Sequence, residues 1–119
     1  MEIAGIPNDL DNIEGESLLP LLKGEDAKSI ENRALYWHFP HYYYAVKPVS
    51  SIREGSWKLL EYLEDGHIEL YNLSDDLEEK HNLADTEPLK TNALLSKLRK
   101  WKTNVGAKGI RQNDNYKKQ

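Results

Sequence analysis

The 119-residue sequence contains no cysteine, which removes disulfides, zinc–thiolate sites and a cysteine nucleophile while leaving the redox compartment open. No apolar run approaches the ~20 residues that a membrane-spanning helix requires. No basic region followed by an apolar stretch opens the chain, so the compartment is not fixed; a signal for a secreted or periplasmic parent would lie outside these residues. Lysine and arginine are scattered among acids that leave a net charge of −4. Phosphate binding shows as clustered cations, so neither nucleic acid nor a membrane is an expected partner. A Gly-rich phosphate loop, a G-x-S-x-G elbow and a paired-carboxylate constellation are also missing.

What is present is unevenly spread. The length fits one domain or part of one, able to bury roughly 65% of its unfolded surface. Although 30% of the residues are charged, "LYWHFPHYYY" (Leu35 to Tyr44) gathers four of the seven tyrosines. A tryptophan, the only phenylalanine and two histidines stand with them. Such a segment can be core, a metal site or the wall of a ligand pocket, and composition does not choose among them.

Residues 1–32 read as an irregular lead-in holding one short helical turn in "SLLPLLKGE", with Ser17 as N-cap, Gly24 as terminator and Pro20 limiting its length. "DAKSIEN" reads as a polar connector. A small α+β unit over 33–106 follows. "RALYWHF" is rich in strand formers and stops at Pro40. Alternation puts Leu35, Trp37 and Phe39 on one face, the expected core face, and Ala34, Tyr36 and His38 on the other. Strands are expected near Ser51–Arg53, Trp57–Leu63 and His67–Asn72, separated by "EGS" and "EDG", where Gly55 and Gly66 permit tight turns. Apolar residues fall on both faces of this meander, so each face should meet something. After the acidic loop "SDDLEEKHNLAD", Thr86 as N-cap and Pro88 in the first turn predict a helix. Leu94, Leu98, Trp101 and Val105 form its stripe, Gly106 ends it, and 107–119 reads as a polar tail.

The candidate site residues are His38 and His41. Their H-x-x-H spacing is broken by Pro40 and lacks a third ligand, so no metal site is expected. Imidazoles beside tyrosine can instead hydrogen-bond an anion or a sugar, or simply pack with their nitrogens satisfied. Arg53 is expected to pair with Glu54 or Glu61, with anion binding as the second reading, and Lys58 to be a solvated sheet-face residue. Asp75, Asp76, Glu78 and Glu79 lack calcium-loop spacing and read as a solvated turn. No catalytic residue is identified.

Taken in order, "EGESLLPLLKGE", "RALYWHFPHYY", "SSIREGSWKLLEYLEDGHIELYNLSDDLEEKHNLAD", the long helix and "VGAKGIRQNDNY" resemble the C-terminal subdomain of the sulfatase (arylsulfatase-type) family. The resemblance implies a four-stranded antiparallel sheet packed against one long C-terminal helix. It also implies an alkaline-phosphatase-like parent whose N-terminal catalytic domain cleaves sulfate esters with a formylglycine and a calcium ion. The C/S-x-P/A-x-R motif that yields formylglycine is absent here, as are recognisable calcium ligands, so both groups are expected in that partner domain and no cofactor in this chain. By resemblance, His38 would contact a sulfated carbohydrate or aryl sulfate at the cleft, with His41 on the same rim. The chain alone is expected to be inactive. The alternatives are a free-standing carbohydrate-binding or interaction module, and a unit that only buttresses its partner.

Overall fold

The computed structural model describes residues 15–26, 28–44 and 46–111; most of the expected lead-in and the tail beyond Arg111 lie outside them. The chain divides into two compact units, Met1–Arg33 and Ala34–Gln119.

In the first unit, α1 (Leu19–Leu22) has Pro20 in its first turn, and Ser17 Oγ accepts the Leu19 N–H at 3.3 Å. Gly24 follows at φ +70°. The segment read as a polar connector holds a second short helix, α2 (Lys28–Glu31). Asp26 Oδ1 accepts the Lys28 N–H at 3.1 Å, and this satisfies one of the donors a helix start leaves open.

The second unit is an antiparallel sheet of β1 (Ala34–Phe39), β2 (Val49–Glu54), β3 (Trp57–Tyr62) and β4 (Ile68–Asn72) in the order β1-β2-β3-β4, followed by α3 (Pro88–Asn104). Gly55 (φ +59°) and Gly66 (φ +75°) occupy the two hairpin connections in the left-handed region, where a side chain would be strained. Register aligns Tyr36, Ile52, Leu59 and Leu70 in one row across the sheet. Ile52, Leu59 and Leu70 meet Leu94 and Leu98 of α3 to form the buried core, each side chain contributing about 1.5–3 kcal/mol by leaving water. The edge of β4 is covered by the loop after it: Asn82 Oδ1 accepts the Leu70 N–H at 3.0 Å, and the Leu83 N–H donates to the Leu70 carbonyl at 2.8 Å. Among the described residues no helix is long and apolar enough to cross a membrane.

Three expectations need correction. Leu35, Trp37 and Phe39 do not face the core; they are 36%, 50% and 39% exposed, and Ala34 and Tyr36 pack against the core instead. Tyr36 lies flat on Trp101, with centroids 4.9 Å apart and planes 8° apart. That stack supplies the apolar partner which alternation alone cannot identify. Thr86 does not cap α3: Glu87 holds the N-cap position with no side-chain cap bond, while the Thr86 hydroxyl donates to the Leu83 carbonyl at 3.2 Å. Pro88 does open the helix. Val105, past its end, is 54% exposed, so the stripe stops at Trp101, which packs partly buried against the core.

Candidate functional site

His38 sits near the end of β1, paired with Ser50 of β2, which in turn pairs with Glu61 of β3. The three side chains form a polar row on the helix side of the sheet, one step beyond the core row. Ser50 is fully buried, and its Oγ lies 2.8 Å from His38 Nδ1. His38 Nε2 lies 2.7 Å from the Lys108 carbonyl oxygen. A carbonyl only accepts, so Nε2 carries the proton; in the neutral ring Nδ1 then accepts from the Ser50 hydroxyl. Both imidazole nitrogens are thus engaged, one by the sheet and one by the segment after α3.

Glu61 completes the row. It is 6% exposed, and it accepts from Arg99 Nε at 2.9 Å and Lys102 Nζ at 2.9 Å; Arg99 Nη2 stands 2.8 Å away. Burial pulls its carboxyl upward, but hydrogen bonds and charge from Lys102 and Arg99 outweigh it and hold the pKa below the ordinary 4.5. This anchor between α3 and β3 was missed in the sequence, where Glu61 interrupts the apolar parity of its strand.

His41 is not brought beside His38. It is exposed and stands edge-on to Phe39, with centroids 5.7 Å apart, so it contacts a side chain of the sheet face opposite α3. Beyond it, Tyr43 and Val46 exchange backbone hydrogen bonds of 3.2 and 2.8 Å and close a tight turn. Tyr44 within that turn adopts φ +50°, is 93% exposed and meets Tyr43 edge-to-face at 4.7 Å. A left-handed, solvent-facing tyrosine costs about 1 kcal/mol or more, and such positions cluster at ligand-binding sites.

The sheet face opposite α3 carries a shallow recess of about 450 Å³ whose lining includes Trp37, Ser51, Arg53, Lys58 and Leu77. Lys58 is not a free solvated group: its Nζ donates to both Glu79 oxygens, at 2.6 and 2.8 Å. Arg53 pairs with neither expected acid. It faces away from α3, whereas Glu54 bonds Lys97 at 2.5 Å and Glu61 bonds Arg99 and Lys102 on the helix side. Among the described residues its Nε donates to the Gly55 carbonyl at 3.3 Å. Tyr62 donates to Glu69 at 3.0 Å, and burial together with Glu69 pushes the neighbouring Tyr71 hydroxyl up to about 12. In the acidic turn, Asp76 accepts the N–H groups of Lys80 at 3.1 Å and His81 at 2.8 Å, and its pKa is lowered by the His81 and Lys80 backbone bonds. Among the described residues no three His, Asp or Glu side chains converge as metal ligands.

Comparison with known proteins supplies the context of this surface. The family described as "N-sulphoglucosamine sulphohydrolase, C-terminal" matches residues 1–105. A sulfatase of Formosa agariphila is 32% identical over 114 residues, covering 84% of this chain and 21% of that protein. Among solved structures, BT1596, a 2-O GAG sulfatase, aligns over 93% of this chain and 25% of its own at 28% identity and a TM-score of 0.68. BT4656, solved with its substrate D-glucosamine-2-N,6-O-disulfate, aligns over 88% of this chain and 22% of its own at 25% identity and a TM-score of 0.66. The chain therefore spans about a fifth to a quarter of the length of these relatives. Sheet order, the long packed helix and the near-complete family match agree: the chain belongs to the N-sulphoglucosamine sulphohydrolase C-terminal family, the C-terminal domain of sulfatases.

Proposed function

We propose that the chain serves as the C-terminal domain of a sulfatase acting on sulfated glycans, and that it lines the substrate side of a cleft whose chemistry resides in a separate N-terminal catalytic domain. The observation that carries this reading is the exposed aromatic group after β1: Tyr42, Tyr43 and Tyr44 are 64%, 62% and 93% exposed, Tyr44 at φ +50°, and the imidazole of His41 is exposed beside them in sequence. Aromatic faces stack on the C–H faces of sugars, and an imidazole donates to sulfate oxygens. The relatives' substrates support the choice of ligand class: one is a disulfated glucosamine and another enzyme is a 2-O GAG sulfatase.

Formylglycine and calcium do not fit this chain's own residues. It has no cysteine and no serine in the required motif, and no three acidic or imidazole groups converge among the described residues. The proposal therefore assigns both groups to the catalytic domain, and no step of the reaction is assigned here. His41 would contact substrate directly. His38 would do so only if a ligand oxygen took the place of the Lys108 carbonyl at Nε2; otherwise it positions the segment after α3.

The exposed aromatics also suit a free-standing carbohydrate-binding module. Calorimetric titration of the isolated chain with sulfated and unsulfated oligosaccharides separates the two. Half a cleft gives no micromolar binding, whereas micromolar binding would favour the module and overturn the cleft reading.

A further inference from the structure

The end of α3 is charged unlike the rest of the chain. The whole sequence carries −4, yet residues 99–111 hold five cations, Arg99, Lys100, Lys102, Lys108 and Arg111, and no acid. Glu61 accepts from Arg99 and Lys102, and cations near a helix C-terminus suit the negative end of its dipole. Lys108 and Arg111 lie beyond that last turn, where the dipole has faded. Among the described residues no ion pair reaches either of them.

The backbone holds this segment in one place. Gly106 adopts φ +62°, the Ala107 N–H donates to the Lys102 carbonyl at 2.9 Å, and the Gly106 N–H donates to the Thr103 carbonyl at 3.2 Å. These are the paired bonds of a Schellman motif, which fixes the direction in which a chain leaves a helix. The Lys108 carbonyl then accepts from His38 Nε2 at 2.7 Å, a bond in which the lysine side chain takes no part. Ala107 and Ile110 are half-buried, while Lys108, Gly109 and Arg111 are exposed. A β-carbon at Gly109 would meet nothing within 4 Å among the described residues, and its φ is not positive. The strip between the two cations is therefore open. His41 follows His38 by three residues, a span of at most about 10 Å, so strip and exposed aromatic group lie at the same end of the sheet.

We propose that Lys108 and Arg111 form an accessory anion site, which holds a sulfate or carboxylate of the glycan other than the ester being cleaved. The inference rests on the glycan-sulfatase reading above and deepens it. Stacking on tyrosine rings is blind to charge, whereas two cations three positions apart select a glycan that carries a further negative group. Arginine offers a planar fork for two anion oxygens, and lysine adds a point charge. On an acidic chain, a local positive strip also steers the anionic substrate to this end of the sheet.

The test is steady-state kinetics of the intact sulfatase on heparan sulfate, chondroitin sulfate and sulfated galactan tetrasaccharides. Lys108→Gln combined with Arg111→Gln leaves the His38 bond in place, because that bond needs only the backbone of residue 108. Exposed charge pairs each contribute a few-fold at most, so the expected result is a KM raised about fivefold with kcat within about twofold. In about 1 M salt, where the Debye length is about 3 Å, parent and double variant should converge. Gly109→Asp, which sets a carboxylate between the cations, should raise KM as well, and Lys100→Gln on the exposed side of α3 should not. An unchanged KM in the double variant, on a tetrasaccharide that the parent cleaves, overturns the accessory site and leaves the sulfatase reading standing. An equal rise in Lys100→Gln reduces the effect to net charge and also overturns the site. Cleavage of none of the tetrasaccharides by the parent overturns the glycan reading and this site with it.

Discussion

The imidazole of His38 and the backbone carbonyl of Lys108, 70 positions apart in sequence, are joined by a 2.7 Å hydrogen bond. Together with the Tyr36–Trp101 stack, it stitches the edge strand β1 to the C-terminal end of the helix and the segment that follows. The helix-side face of β1 is thus committed to the domain's own packing. Its other face and the turn beyond it are left outward.

If that hydrogen bond orders the segment after α3, His38→Ala should increase backbone motion at Lys108, Gly109 and Ile110 in NMR relaxation and cost about 1 kcal/mol of stability. Relaxation unchanged at those three residues would contradict the latch.

Trp101→Ala removes one partner of a flat stack and opens a cavity beside Leu98. Denaturant unfolding should show a loss of about 3 kcal/mol. Trp101→Phe, which keeps an aromatic face, should lose clearly less; equal losses would mean that the stack itself contributes nothing.

The Glu61 carboxyl has its folded-state pKa depressed below 4.5. Its contribution is therefore fully present above that pH and is lost as the pH falls through the lower folded value. Arg99 is 59% exposed, so solvent screening limits the gain. Glu61→Gln should cost about 1–2 kcal/mol near neutrality and flatten the acid limb of a stability-versus-pH curve. An acid limb identical to that of the parent protein would rule out this pair as its source.

The purified 119-residue chain should not turn over a chromogenic aryl sulfate with or without added calcium. Sustained turnover that survives repurification would place catalytic machinery in residues where none was found.

Much of the fold was legible because its signals are local. Gly55 and Gly66 mark the hairpins, Pro40 ends β1 and Pro88 starts α3, and the Leu94/Leu98 spacing gives the buried stripe. The orientation of β1 was not legible. Alternation says that residues 35, 37 and 39 share a face, but the choice of face depends on Trp101, 65 positions after Tyr36, and on the chain returning past His38. The expected ion pair of Arg53 and the expected solvation of Lys58 failed for a related reason: which acids share their side of the sheet is set by strand register, and Glu79 reaches Lys58 from a loop. At the candidate site the sequence singled out Leu35 to Tyr44 without showing that His38 and His41 diverge. Lys108, which engages His38 through its carbonyl rather than its side chain, carries no signal in residue type.

The central claim is that the exposed turn after β1 contacts substrate for chemistry performed elsewhere. Its most direct test is kcat/KM, with Tm in parallel, for His41→Ala in the intact sulfatase acting on its sulfated glycan. Loss of one charge-assisted contact predicts a fall of about tenfold, or ~1.4 kcal/mol, with Tm unchanged. An unaltered kcat/KM would show that the turn does not reach the substrate.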